Sequence, residues 1–309
     1  MLDLERLRAL NAVAMYGSVS AAAEVLHVTT SAVSQQVAKL ERETGQKLLE
    51  RNGRGVRLTD AAALLAAHAE RILAMVEAAE TDLEAHRGAV VGELSVAAFP
   101  TAARGLMPPA LALLAKEHPR LTVSLREQEP HSAVPLIARG EIDLGIVQDW
   151  FNVPLAIPDG LVKAPLLDDV ADVALPADHP LAGRDVIDLD DVRGGAWIAQ
   201  SAGAICRDWL EHTLRSAGLE PRINHTADEY ATQLALVAAG LGCAVLPRLG
   251  RCDVPPGVRI VAVRPALTRH VYGIWRAEAA RRPAIRTAVA ALRTAAGMGN
   301  LELAAEIAG

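Results

Sequence analysis

The run Thr29-Thr30-Ser31-Ala32-Val33-Ser34-Gln35-Gln36-Val37-Ala38-Lys39-Leu40-Glu41-Arg42 decides how the N-terminal part of this chain is read. At 100° per residue, Val33, Val37 and Leu40 fall in one narrow apolar stripe that must face inward. Ser31, Gln35, Ala38 and Arg42 point the opposite way, with Ser34 and Lys39 on the flanks. Thr29 offers an N-cap and Gly45 a stop, so the pattern predicts a helix running to about Glu43. Its outward face is small, uncharged and rich in hydrogen-bonding groups near the N-terminus. Such a face can enter a major groove and read base edges, while Lys39 and Arg42 reach phosphates. An ordinary solvated helix face would carry the same residues, so the neighbouring segments must decide.

Upstream, Leu4, Leu7, Leu10 and Val13 recur at helical spacing and Tyr16-Gly17-Ser18 interrupts them. Ser18 or Ser20 can cap a second short helix holding Ala21, Ala22, Val25 and Leu26, and His27-Val28 makes a tight turn. Two short helices, a turn and a longer helix are the helix-turn-helix plan. Downstream, Lys47, Arg51, Arg54 and Arg57 against Glu50 leave residues 45–59 with a local excess of three positive charges. Arg51-Asn52-Gly53-Arg54-Gly55 has turn chemistry and Val56-Arg57-Leu58 alternates like a strand. A hairpin wing of this kind lays guanidinium groups along phosphates or in a minor groove. Residues 1–58 therefore read as a winged helix-turn-helix.

This ordered series resembles the LysR-type transcriptional regulators. The match runs through Leu4-Glu5-Arg6-Leu7, Gly17-Ser18-Val19-Ser20-Ala21-Ala22-Ala23, Ser31 to Val37, Lys39-Leu40-Glu41, and Leu49-Glu50-Arg51 through Arg54 to Leu58-Thr59. The resemblance implies DNA contacts by Thr30, Ser31, Ser34 and Gln35 at the start of the recognition helix and by Arg51 and Arg54 on the wing. Lys39 and Arg42 complete the expected DNA-binding set. Leu49 stands where the family usually has Phe, Ala62 where it has Gly, and Thr30 where Gln is frequent, which bears on the operator sequence.

In residues 59–88, Thr59 or Asp60 caps a long Ala-rich helix. Leu65, Ala69, Ile72, Val76, Ala79 and Leu83 alternate by four and three, the pattern of a coiled-coil seam. The expected role is dimerisation, since paired heads at fixed separation match palindromic half-sites. A helix packed on its own domain is the alternative. The resemblance implies homodimers, often paired into tetramers, and RNA polymerase joins the expected partners.

From residue 89 strand and helix signals alternate. Leu94–Val96, a helix over Arg104–Glu117 bent or delayed at Pro108-Pro109, Leu121–Leu125, a helix over Val134–Arg139 and Ile142–Val147 form a βαβαβ half. A second half begins near Val170–Leu175 and continues through a helix near 207–217, a strand at Arg222–Asn224, a helix over Glu229–Ala239 and a strand over Gly242–Leu246. Val271–Trp275 and a helix over Pro283–Thr294 return to the first half, and the residues from Gly297 form a tail or further helix. Two α/β halves joined by crossing strands resemble the periplasmic-binding-protein fold, which the LysR family uses to bind effectors. Gly140-Glu141-Ile142-Asp143-Leu144-Gly145-Ile146, Asp178-His179-Pro180-Leu181-Ala182 and Val237-Ala238-Ala239-Gly240-Leu241-Gly242 through Pro247 carry that match. The expected organisation is an effector domain over 89–309, with subdomain I at about 89–165 and 268–296 and subdomain II at about 166–267.

Ligands of open α/β sheets lie beyond strand carboxyl ends. The candidate effector residues at such turns are Phe99, Thr101, His131, Ser132, Gln148, Gln200, Ser201 and Thr226. Their amides and hydroxyls suit a polar effector, although each alone is an ordinary cap or turn residue. HExxH, GxSxG and Walker sequences are absent, so no enzyme, cofactor or metal is expected. Asp185, Asp188, Asp190 and Asp191 read as a solvated loop and helix start. Cys206 near a helix start could gain thiolate character, which makes a redox-sensing regulator the alternative function. A solute-binding α/β protein is the remote one. For Cys206 and Cys243, burial as small apolar side chains is the plainer reading.

Hydrophobic residues at 51% against 22% charged mark a globular chain. A net charge of −6 would not by itself suggest nucleic acid, but a DNA head needs only local positive charge. A charged first turn without an apolar region behind it, no long apolar run and three cysteines without CxxC spacing predict a reduced, cytoplasmic protein away from membranes.

Overall fold

The computed structural model describes residues 2–52, 55–87, 90–192, 194–216 and 218–308. Side chains are not described at 51, 52, 55, 77, 78, 80–82, 84–87 and 298–308. The chain divides into two compact units, Met1–His86 and Arg87–Gly309.

The first unit is built on three helices: α1 (Leu4–Tyr16), α2 (Val19–Val25) and α3 (Thr30–Thr44). Each begins at a side-chain cap. Asp3 accepts from the N–H groups of Glu5 and Arg6, Ser18 from Ala21, and Thr29 from Ala32. Gly17 and Gly45 close α1 and α3 in the left-handed region, at φ 71° and 68°, where a β-carbon is costly. Val33, Val37 and Leu40 are buried, and they pack with Leu7, Leu10, Val13, Ala22 and Ala23. Leu4 departs from the expected stripe: it precedes the point where α1 meets its neighbours and is exposed. A hairpin follows, with β1 (Leu49–Asn52) antiparallel to β2 (Gly55–Leu58). The Glu41 carboxylate ties α3 to it by accepting from the backbone of Leu48 at 2.8 Å and Leu49 at 3.3 Å. Burial works to raise the pKa of Glu41, but those two N–H groups and Lys47 together hold it below its ordinary value.

The long helix α4 (Asp60–Arg87) starts from Thr59, whose Oγ1 accepts from Ala62 N at 3.1 Å. Its first turns belong to the same core. Ala62 and Ala69 are fully buried there, with Leu65 and Ile72 packed alongside. Of the expected seam, Leu65, Ala69 and Ile72 are thus engaged by the chain's own head, as the alternative reading of this helix had it. Beyond them Val76 is half-buried, and Ala79 and Leu83 are exposed.

In the second unit β3 (Gly92–Ala98) lies parallel to both β4 (Leu121–Glu127) and β5 (Leu144–Trp150). The helices α5 (Pro100–Gly105), α6 (Met107–Glu117) and α7 (Pro130–Ala138) make the crossovers. Pro108 and Pro109 sit in the first turn of α6, the delayed start that the sequence suggested. The short α5, on which Thr101 lies, replaces an expected turn.

Two strands are longer than expected. β6 (Leu161–Pro176) and β12 (Leu267–Arg276) run antiparallel to each other along the whole of β12 and from Leu161 to Ala171 of β6. Lys163, Asp168, Asp169 and Arg269 masked them in the sequence, because these polar residues are satisfied by cross-strand partners. The larger sheet runs β4-β3-β5-β12-β6-β11-β7, with β7 (Val186–Asp188), β10 (Ala244–Pro247) paired to β6, and β11 (Val258–Arg264). β8 (Ala196–Ala199) and β9 (Arg222–Thr226) form a small parallel pair near α8 (Ile205–Ser216) and α9 (Tyr230–Ala238). Leu167 and Val271 pack in one core with Leu94, Ile146 and Leu292, whereas Ala171 and Leu267 pack in another with Trp197, Trp209 and Val245. β6 and β12 thus pass from one core to the other. α10 (Pro283–Ala308) continues through the residues expected as a separate tail.

Candidate functional site

On the head, the apolar stripe of α3 turns the opposite face outward: Thr30, Ser31, Ser34, Gln35, Lys39 and Arg42 are all exposed. Ser34 Oγ donates to Thr30 O one turn back at 2.8 Å. Its hydrogen is therefore committed within the helix while its oxygen can still accept, for instance from a base amino group. On the hairpin, Arg57 lies 3.5 Å from Glu50 across the strand pair, both well exposed. The side chain of Arg51 and the whole of Arg54 lie outside the described residues.

In the second unit a pocket is lined by Phe99, Pro100, Thr101, Glu129, Gln148, Gln200, Ala204, Cys206, Asp228, Tyr230 and Arg269. The lining comes from the ends of β3 and β5, the first turns of α5 and α8, the residues before α7 and α9, and the middle of β12. Its cavity volume of about 10 Å³ has room for roughly one water molecule.

Arg269 organises the wall. Its Nε donates to Asp169 Oδ2 at 2.8 Å, Nη1 to Gln148 Oε1 at 2.5 Å and Nη2 to Thr101 Oγ1 at 2.8 Å, with Phe99 stacked 5.2 Å from the guanidinium. Cys206 Sγ is approached by Gln148 Nε2 at 3.6 Å, Tyr230 Oη at 3.7 Å and Arg269 Nη1 at 3.9 Å. Burial pushes the Cys206 thiol up and the Arg269 charge opposes this only in part, so the neutral thiol prevails. The neutral thiol agrees with the plainer reading of Cys206 as a buried side chain and runs against the alternative of a thiolate at a helix start. Cys243 lies in the apolar core, with its thiol pushed up to about 12 by burial. Burial also lifts the Glu129 carboxyl to about 7, with Arg269 opposing and Asp228 and Glu127 adding to the rise.

Of the eight expected effector residues, Phe99, Thr101, Gln148 and Gln200 line this pocket, and His131, Ser132, Ser201 and Thr226 do not. Ser201 donates to Asp228 through both N and Oγ, at 2.7 and 3.0 Å. Thr226 Oγ1 accepts from Arg207 at 3.4 Å. His131 faces Asp208 at 3.8 Å in an exposed pair, and Ser132 is exposed. Sequence reasoning missed Glu129 and Asp228 by two residues in the same turns. Arg269 lies inside β12, away from its carboxyl end, and Tyr230 opens α9 as an aromatic residue that reads as core, so neither carries a local signal of a polar site. Of the acidic group, Asp188 and Asp191 form a capping box around a short 3-10 turn. No group of three or more metal-ligating side chains occurs among the described residues. No described helix is long and apolar enough to cross a membrane.

Residues 4–63 match the family described as bacterial regulatory helix-turn-helix protein, lysR family, and residues 87–297 match the LysR substrate binding domain. The transcriptional regulator CysL of Bacillus subtilis is 30% identical over 74% of this chain and 74% of its own. A probable hydrogen peroxide-inducible genes activator of Streptomyces viridosporus is 32% identical over 95% and 94%. Among solved structures, a full-length OxyR variant from Pseudomonas aeruginosa superposes with a TM-score of 0.70 at 26% identity, over 95% of this chain and 98% of that one.

Proposed function

The chain belongs to the LysR family of DNA-binding transcription regulators with an effector-binding domain, and we propose that it reads its operator through Thr30, Ser31, Ser34 and Gln35. Lys39, Arg42, Arg51 and Arg54 supply phosphate contacts in this reading. The observation that carries it is the outward face of α3, hydroxyl- and amide-bearing at its start, beside a hairpin rich in arginine. A mobility-shift titration with the DNA upstream of its own gene tests it. Arg51→Ala weakens binding to all duplexes and lowers the salt dependence, whereas Ser34→Ala acts mainly on the preferred site. If neither substitution changes affinity, the assignment of recognition helix and wing is wrong.

The pocket around Arg269 is the proposed effector site, between lobes whose boundaries follow the crossings of β6 and β12. With room for about one water molecule, it admits a larger ligand only when its walls part. A ligand that binds the parted arrangement better shifts the population toward it. The regulator works in this reading as a homodimer, or a tetramer of paired dimers, in the cytoplasm, with RNA polymerase as its downstream partner. Met75, Ala79 and Leu83 follow at four-residue steps on α4, with Leu64 eleven residues before Met75 on the same line. All four are exposed, and they are the proposed contact between copies. The pocket binds rather than transforms its ligand.

The position of Cys206 in the pocket wall favours a second reading, a thiol that responds to oxidants as the name of the Streptomyces relative suggests. Its raised pKa counts against it, because the thiolate is the reactive form.

A further inference from the structure

The charges lining the pocket restrict what it can receive, granted that it is the effector site. A guanidinium has five N–H groups, and those of Arg269 meet acceptors in Asp169, Gln148, Thr101 and Cys206. Asp169 also cancels its charge at 2.7 Å. An incoming carboxylate therefore finds no unused donor on Arg269. The further charged groups named in the lining, Glu129 and Asp228, are both acidic. Asp228 is committed, Oδ1 to Ser201 N and Oδ2 to Ser201 Oγ. Glu129 is not: it occupies the N-cap position of α7, yet its side chain makes no capping bond there. Its electrostatic surroundings are charges rather than hydrogen bonds. The cavity beside it takes about one water-sized group. An ammonium group has that size and three donors, whereas a carboxylate has two oxygens and would meet Glu129 with like charge.

We infer that the effector carries an ammonium group received by the Glu129 carboxylate, so that the sensor answers to a small organic amine and not to a carboxylate. The rest of the ligand extends toward the mouth of the pocket. Glu129 must be ionised to receive the cation, so affinity rises between pH 6 and 8, across the pKa of about 7. The groups that bear on Glu129 are Glu127, Asp228 and Arg269. Cys206 and Tyr230 also face the pocket, and the His131–Asp208 pair lies on α7 and α8 nearby.

The test is thermal unfolding of the full chain at pH 8 and fixed ionic strength, followed by tryptophan fluorescence. The probes are methylamine and putrescine, with acetate and succinate as anionic counterparts. The amines are expected to raise the midpoint by about 2–4 °C at saturating concentration. Glu129→Gln erases the shift and Glu127→Gln keeps it, with each variant's ligand-free midpoint recording that it is folded. An amine shift that survives Glu129→Gln overturns the proposal. A shift with acetate or succinate alone that Gln200→Ala abolishes also overturns it, while leaving the pocket as effector site. If no probe moves the midpoint, the inference is overturned, while the pocket as effector site and operator binding by the head are untouched.

Discussion

Arg269 Nη2 lies 2.7 Å from Asp169 Oδ2, and neither side chain is more than 5% exposed. The pair joins β12 to β6 where both strands pass between cores, and Asp169 Oδ1 also accepts from Leu249 N at 2.9 Å. Removing one partner leaves the other charged, dry and unpaired. Arg269→Leu is expected to destabilise the second unit by about 3–5 kcal/mol. Adding Asp169→Asn recovers part of that loss, since no lone buried charge then remains. Arg269→Lys behaves like the leucine variant, because one ammonium cannot reach Asp169, Gln148 and Thr101 together. All four tryptophans (Trp150, Trp197, Trp209 and Trp275) lie in this unit, so urea unfolding read by their fluorescence reports on it alone.

The loop after β10 bears on the same wall through Gly250. A β-carbon built there would stand 2.3 Å from Thr101 O, and the residue has φ +62°. Gly250→Ala is therefore strained by both conformation and contact, at a cost of about 1–3 kcal/mol. Relief comes from moving the loop off α5, which displaces Thr101 and with it one acceptor of Arg269. The expected outcome is a lower midpoint together with weaker effector binding. An unchanged ligand response in a destabilised Gly250→Ala would mean that the loop only supports the fold.

How much of this could be read from the chain depended on where each interaction is encoded. The capped helices of the head follow from local rules: Thr29, Ser18 and Gly45 act within four residues of themselves, and Val33, Val37 and Leu40 declare their face by spacing. Four of the eleven residues lining the candidate pocket were likewise visible, because Phe99, Thr101, Gln148 and Gln200 stand near or just beyond the carboxyl ends of strands. Arg269 was not visible. An arginine between Leu267 and Val271 reads as a solvent-facing strand residue, and its burial is set by Asp169, a hundred positions earlier. The α4 seam was ambiguous for a related reason. Leu65, Ala69 and Ile72 satisfy a heptad as well as they satisfy a docking stripe, and periodicity alone does not say whose surface they meet.

The two faces of α4 give separate outcomes on substitution. Ala69 is fully buried in the head, so Ala69→Leu overpacks that core at a cost of about 1–3 kcal/mol and lowers head stability by circular dichroism. Met75→Glu combined with Leu83→Glu changes side chains that are 73% and 62% exposed, and leaves each chain folded. The proposed contact between copies loses apolar area and gains like charges, so light scattering should show a lower mass at micromolar concentration. Operator affinity should fall at the same time, because paired heads bind two half-sites jointly. A double variant of unchanged mass would remove this face from the assembly.

Glu129 makes stability fall with pH in a window that can be calculated. Its carboxyl is raised from 4.5 to about 7 by burial. Between those values the folded chain holds a proton there that the unfolded chain has released. Stability therefore declines as pH rises through this interval and is level above it. A side-chain amide at this position has no proton to release in the range, so Glu129→Gln escapes the decline. The variant's advantage over the natural chain is expected to open from about pH 4.5, to reach about 1–2 kcal/mol near pH 7 after allowing for solvent reaching the half-buried carboxyl, and to stay constant to pH 9. Other titrating groups are common to both proteins and cancel in the difference. Urea midpoints of the two chains at half-unit pH intervals measure it directly. A difference that is flat from pH 4.5 to 7 would place the Glu129 carboxyl in water, and the cavity would then lose the unpaired acid that the amine requires.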